Sequence, residues 1–352
     1  MFCSRLVFRH SRAGRTVGGG GAEVERDSGP LAITRRRPDT ARVNVTVTQL
    51  TDQLLASYAR VGGINHLDGK NLPSKTAITG IAADLVRLIF PGFFDEKPLH
   101  SYELKVETAA LMDSVLGRLE DELYKSLDYA AAAGRKKDFR ADARALTLEF
   151  LGRLPALRDV LQTDAEAAYN GDPAALSKDE VIVAYPFMEA IAVQRLAHEL
   201  YLRDVPLIPR IMTEWAHGRT GMDLHPGARI GTHFFVDHCT GTVVGETAII
   251  GNHVKMYQGV GLVARSLSGG QSLRGQKRHP TLEDHVTIYA GSTIMGGDTV
   301  VGEGSTIGAN VFLTSSVPPH SLVLCEEVKV RVLSKKDREK AGGGRARGDF
   351  QI

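Results

Sequence analysis

Between residues 42 and 217 apolar side chains recur at three- and four-residue intervals. The segments QLTDQLLASYARV (49–61), TAITGIAADLVRLIF (76–90), ALMDSVLGRLEDELYKSL (110–127) and YPFMEAIAVQRLAHELYL (185–202) each gather them on one helical face. Breaks fall at Pro91-Gly92, Ala133-Gly134 and Asn170-Gly171-Asp172-Pro173. The pattern predicts an α-helical domain over 42–217. After Gly221 the helical period disappears, and glycine and β-branched residues dominate. Aligned in sixes, the first residue of each block reads Leu224, Ile230, Val236, Thr242, Ala248, Val254, Val260. After an interruption the sixes resume at Leu282, Ile288 and Ile294, slip by one residue near Asp298–Val301, and continue at Val301, Ile307 and Leu313.

A six-residue repeat is not a helix period and is too short for a strand plus an ordinary turn. It fits a parallel β-helix over 222–325, in which each block forms one side of a triangular coil of about 18 residues. The block-initial aliphatics point inward and stack from coil to coil, with glycine and small residues at the corners. The one-residue slip belongs at a corner, where the inward stack survives it. The interruption RSLSGGQSLRGQKRHP (265–280) is polar and basic, so it should protrude as a loop that carries function or is a tolerated insertion. The tail, 326–352, is charged and glycine-rich and reads as largely disordered. Its apolar tip, DFQI, suits either a docking peptide or a frayed end.

Composition narrows the class. A chain of 352 residues with 43% hydrophobic residues suits a soluble protein of two domains. A net charge of +2 points to neither nucleic acid nor membrane surface, and no apolar run reaches the roughly 18 residues of a spanning helix. Cys3, Cys239 and Cys325 are scattered, which fits a reducing, cytoplasmic setting rather than a disulfide framework or a cysteine zinc site. Residues 1–41 are set apart. The stretch MFCSRLVFRHSRAGRTVGGGG holds arginines and no acid, and reads as a transit peptide, a disordered leader or an over-extended reading frame.

Candidate chemistry gathers around VDHCTGTVVGET (236–247). In an 18-residue coil residue 241 lies one layer from Asp223, and His238 falls three residues short of it. With layers about 4.8 Å apart, Asp223 and His238 can meet across neighbouring coils. A carboxylate on one ring nitrogen would fix the tautomer and leave the other as a base; the alternative is a pair of satisfied surface residues. Asp237 should face away from His238, since strand neighbours point to opposite faces, and suits a substrate amine or a solvated corner. His233 and His238 have a spacing compatible with a zinc pair, but His198, His253 and His285 supply no third ligand in phase, so no metal is expected. Cys239 reads as a small packed residue.

MDLHPGARIGTHFFVDHCTGTVVGETAIIGNHV (222–254), the loop ending RHP (278–280) and SVPPHS (316–321) together resemble the serine O-acetyltransferases. The likeness runs over about 170–323. It implies a left-handed parallel β-helix of hexapeptide repeats behind an N-terminal α-helical domain, α+β in sequence order. It further implies acetyl transfer from acetyl-CoA to L-serine by direct attack, with no tightly bound cofactor. By position, the resemblance makes His238 the general base and Asp223 the carboxylate that orients it. Asp237 and, by a weaker match, Asp172 would bind the amine, Arg278 and His279 the serine carboxylate, and Glu246 would support the site. Ala290 and Ala309 would line the coenzyme cleft. It implies inhibition by L-cysteine, a trimer or dimer of trimers with sites between neighbours, and a C-terminal Ile352 that docks into cysteine synthase. Val263-Ala264 stand where many relatives have a glycine pair, and CEEVKV (325–330) replaces the usual end of the prism. A sugar acetyltransferase, a zinc hydratase, and a scaffold that has lost catalysis are the rival readings.

Overall fold

A computed structural model describes residues 45–131, 138–266 and 268–325. The chain divides into two compact units, one up to Leu67 and one from Asp68 onward. In the first, helix α1 (Val47–Arg60) opens on a capping box, in which Thr46 and Gln49 satisfy each other's backbone N–H. None of its residues is buried. Sequence periodicity had joined this helix to the others in one domain over 42–217; the contacts assign it to a unit of its own.

The second unit begins with seven helices: α2 (Lys75–Ile89), α3 (Leu104–Ala130), α4 (Arg140–Leu151), α5 (Leu154–Gly171), α6 (Lys178–Ala184), α7 (Pro186–Tyr201) and α8 (Ile208–Thr220). Ser74 and Ser177 accept a backbone N–H at the starts of α2 and α6. Gly221, at φ 72°, ends α8 in a left-handed cap and turns the chain into the prism. Helix α7 is buried on nearly every side and is the centre of the helical core.

Short parallel strands follow. They are β1 (Asp223–Leu224), β2 (Arg229–Ile230), β3 (Phe235–Val236), β4 (Val243–Val244), β5 (Ile249–Ile250), β6 (Lys255–Met256) and β7 (Gly261–Val263). Beyond the loop lie β8 (Thr281–Leu282), β9 (Thr287–Ile288), β10 (Thr293–Met295), β11 (Val300–Val301), β12 (Thr306–Ile307), β13 (Phe312–Leu313) and β14 (Leu322–Val323). They form three sides of a left-handed prism: β1-β4-β7-β10-β13, then β2-β5-β8-β11, then β3-β6-β9-β12-β14.

The register corrects the six-residue alignment in one place. Leu224 pairs with Val244, not Thr242, and Ile230 and Val236 pair with Ile250 and Met256. Two extra residues therefore sit in the corner between Val236 and Val243. The slip is silent in the hydrophobic pattern because alternate residues share a face. Thr242 and Val244, Ala248 and Ile250, Val254 and Met256, and Val260 and Leu262 are all buried. The later one-residue slip lies in the corner between Met295 and Val300, overlapping the expected Asp298–Val301, and Leu282 pairs with Val301 across it.

Helices and prism share one core. The buried Arg195 of α7 donates to both oxygens of Asp164 of α5, at 2.7 and 2.9 Å. It also donates to the carbonyls of Ile230 (3.0 Å) and Gly231 (2.7 Å), while Phe234 N–H donates to Asp164 at 3.1 Å. Charge and hydrogen-bonding capacity are thus matched at the corner between the second and third sides. Among the described residues no helix is long and apolar enough to cross a membrane.

Candidate functional site

Polar side chains gather at two corners of the prism, at opposite edges of its first side. The corner between third and first sides carries Asp237, His238 and Cys239. His238 and Cys239 have φ of 61° and 52°, so the chain here is a turn and not a strand. Strand alternation consequently fails. Asp237 Oδ1 lies 3.2 Å from His238 Nδ1, and the His238 side chain is 67% exposed. Asp223 instead stands outward on β1 beside Val243, 3.9 Å from the Arg210 guanidinium. The coil that follows Asp223 is two residues longer than the 18 on which an Asp223–His238 contact was expected. Within one chain Asp237 is the carboxylate in contact with the imidazole.

The end of α5 brings a second acid to this corner. Lys255 of β6 donates to the Gly171 carbonyl at 2.5 Å, and Gly171 packs on the Phe235 ring, where a Cβ would meet it at 2.8 Å. Asp172 accepts from the Tyr185 hydroxyl (2.5 Å) and the Ala174 N–H (2.9 Å). The Tyr185 bond, then the Ala174 bond, and more weakly the charges of His238 and Lys255, lower the Asp172 pKa. The same bond pushes the Tyr185 phenol up to about 12. Cys239 is buried, and burial raises its thiol to about 12, which fits a packed residue rather than a nucleophile.

The corner between first and second sides is built from the loop's return and the GET segment. Arg278 forms an ion pair with Glu246, whose other oxygen accepts from Tyr201 at 2.8 Å. Burial pushes Glu246 up, but the bonds from Tyr201 and Arg278 outweigh it and hold the acid below its ordinary value. Burial and the same bond raise Tyr201 to about 12. Lys277 closes the loop's base on the carbonyls of Thr247, Pro280 and His279. His279 is buried, and His225 lies edge-on to Tyr201. Desolvation, aided by Arg278 at His279 and by Arg210 at His225, lowers both imidazoles to about 4. Both are neutral near pH 7.

The remaining candidates fall as follows. Equivalent backbone bonds, Gly259 N–H to Thr240, Gly291 N–H to Gln258 and Asn310 N–H to Ala290, put Thr240, Gln258, Ala290 and Ala309 at the same corner position in successive layers. Ala290 and Ala309 thus lie on the same corner of the prism as His238, which stands in the lengthened turn two residues before Thr240. His233 and His238 occupy different corners; His233 stacks on His253 (4.1 Å), which stacks on His285 (4.7 Å). The one described cluster with metal-ligand spacing is Glu214, His217 and Asp223, beside the Arg210 guanidinium. Ile352 and the leader lie outside the described residues. Sequence reasoning assigned nothing to Tyr185, Tyr201, Lys255, His225 or Thr247.

One corner offers two carboxylates and an exposed imidazole, the other a guanidinium and a neutral imidazole. Together they suit an ammonium, a proton to be removed and a carboxylate. No protein-family model matches the chain. It is 40% identical over 286 residues to the Synechococcus elongatus protein named "Serine acetyltransferase, plasmid", spanning 78% of this chain and 86% of that one. It is 44% identical over 164 residues to the Mycobacterium tuberculosis serine acetyltransferase, spanning 47% and 69%. Among solved structures, Entamoeba histolytica serine acetyltransferase isoform 3 in complex with cysteine superposes with a TM-score of 0.63 at 30% identity, covering 83% of this chain and 97% of that one. Serine acetyltransferase 1 of that organism, in complex with L-cysteine, gives 0.61 at 35% identity, covering 70% and 86%.

Proposed function

Because this chain belongs to the serine acetyltransferase family, we propose that it moves acetyl from acetyl-CoA to the hydroxyl of L-serine, releasing O-acetylserine and CoA. The observation that carries this reading is the pair of polar corners, whose charges complement an amino-acid zwitterion. Arg278, held by Glu246, and His279 take the serine carboxylate. Asp237 and Asp172 take the ammonium. His238 removes the hydroxyl proton as the oxygen attacks the thioester carbonyl, and the thiolate leaves as CoA. Its hydrated position suits a base that returns the proton to solvent or to the leaving sulfur.

Acetyl-CoA is a co-substrate; its reactive end lies at His238 and its arm along Ala290 and Ala309. The two corners lie at opposite edges of the first side, so a site using both requires a neighbouring copy, in a trimer or a dimer of trimers. In that arrangement Asp223 serves as the orienting carboxylate from the next copy, while Asp237 contacts His238 from its own chain. L-cysteine, which keeps serine's carboxylate and ammonium, occupies the same pocket as an inhibitor. The tail ending in Ile352 docks into cysteine synthase.

The test is CoA release from acetyl-CoA with serine, with a panel of sugar acceptors, and with cysteine added. Serine-dependent release that cysteine suppresses supports the reading, and preference for a sugar overturns it. Mixed oligomers of His238→Ala and Arg278→Ala chains test the shared site. Recovery toward about a quarter of the wild-type rate, the share of interfaces that pair an intact His238 with an intact Arg278 in equal mixing, supports it, and no recovery removes it.

A further inference from the structure

Thr247 follows the Glu246 that holds Arg278, yet points at the other half of the pair. Its hydroxyl oxygen accepts the backbone N–H of Arg278 at 2.9 Å and that of His279 at 3.1 Å. With both N–H groups pointing at the oxygen, its single proton is left for an acceptor. That acceptor is His279 Nδ1, 2.9 Å away. The backbone N–H of Thr247 lies 3.1 Å from the same nitrogen and can only donate. A ring nitrogen facing two donors carries no proton, so the hydrogen of the neutral ring is on Nε2. Among the described residues no protein group accepts from Nε2.

The ring's seat is equally defined. A Cβ at Gly245 would overlap the imidazole, and one at Gly297 would overlap the backbone of Lys277 and Arg278. Gly297 belongs to the one-residue slip in the coil, so that extra residue makes room for the returning loop. The charged and titratable groups facing His279 are Arg278 and Lys277 of its own loop, Glu246 beside Thr247, and His225 across the corner. Three of the four resist a further positive charge there.

We propose that Thr247 is a positioning residue that locks His279 as a neutral imidazole presenting Nε2–H to the carboxylate of the amino-acid substrate. The proposal rests on the reading of His279 as a carboxylate contact. Its consequence is a donor whose state is constant across the working pH range.

The test uses the full chain labelled with 15N-histidine, with the His279 resonance identified by its loss in His279→Gln. Solid-state 15N spectra should show the Nε2–H tautomer, with no titration above about pH 5. In Thr247→Val the resonance should titrate at higher pH, and KM for serine should rise about tenfold with kcat within about threefold. Thr247→Ser should restore both to within about twofold. An Nδ1–H tautomer or an ordinary imidazole titration in the wild type overturns the proposal, as does a Thr247→Val variant with unchanged spectrum and KM. Should Thr247→Val fail to fold, the wild-type spectrum and Thr247→Ser decide. If the spectrum responds as expected and KM does not, the lock stands and the assignment of His279 to the substrate falls.

Discussion

The two corners of the prism are built to different standards. At the first–second corner nearly every polar atom is committed: Glu246 to Tyr201 and Arg278, Lys277 to three carbonyls, His279 to Thr247. At the third–first corner His238 is two-thirds exposed, touches Asp237 and has Asp172 farther off. The first arrangement recognises a shape without rearranging, which lowers the ordering cost of binding. On the proposed reading the second takes up and hands on a proton, and its exposed imidazole is open to both substrate and solvent. Committed hydrogen bonds are concentrated at one corner and openness at the other.

Removing the open corner's imidazole should have the largest effect. His238→Ala is expected to lower kcat for CoA release by roughly 10²–10⁴ while serine KM changes little; a drop confined to KM would erase the contrast. Next comes the anchor behind that corner. Asp164→Ala leaves Arg195 charged and buried, and should cost about 3–5 kcal/mol in denaturant unfolding. A loss below about 1 kcal/mol would mean that packing alone holds the helices to the prism. Glu246→Gln tests the committed corner. It frees Arg278 and should raise serine KM about tenfold, with kcat nearly unchanged. Equal losses in both constants would place Glu246 in the chemical step.

The committed corner also predicts a pH dependence of stability. His225 and His279 are held at about 4 in the folded chain, against about 6.5 in the unfolded one. Between those values the unfolded state binds more protons, so stability is full above about 6.5 and falls as pH drops toward 4. Tm measured from pH 8 to pH 4 should decline through that window, less steeply in His225→Gln; a flat profile would show that neither ring is held neutral.

Much of this was legible in the chain. The six-residue period identified the prism, and the DH, RHP and GET segments carried the residues that the two corners display. What escaped did so for definite reasons. An insertion of two residues leaves inward faces inward, so the lengthened corner before Val243 left no mark on the hydrophobic pattern, and the layer arithmetic that paired Asp223 with His238 inherited the error. Histidine tolerates left-handed backbone but does not announce it, and Cys239 does not favour it, so the turn at His238 and Cys239 was read as a strand and adjacent Asp237 was sent to the opposite face. Tyr185, Tyr201 and Lys255 matter through where α5, α7 and β6 come to lie, which no local spacing reports. Thr247 could have been questioned from its place beside Glu246; its bonds, two of them to backbone, appear only in three dimensions.

Ile250 pairs with Leu282 as though the residues between β7 and β8 were absent. The coil's inner stack closes beneath the loop, and Lys277 fastens the loop's root to backbone carbonyls, which any sequence would supply. The prism therefore behaves as a chassis with a socket. The segment between Arg265, which bonds Asp298 and Thr314, and Lys277 can be exchanged or lengthened without disturbing the register above or below.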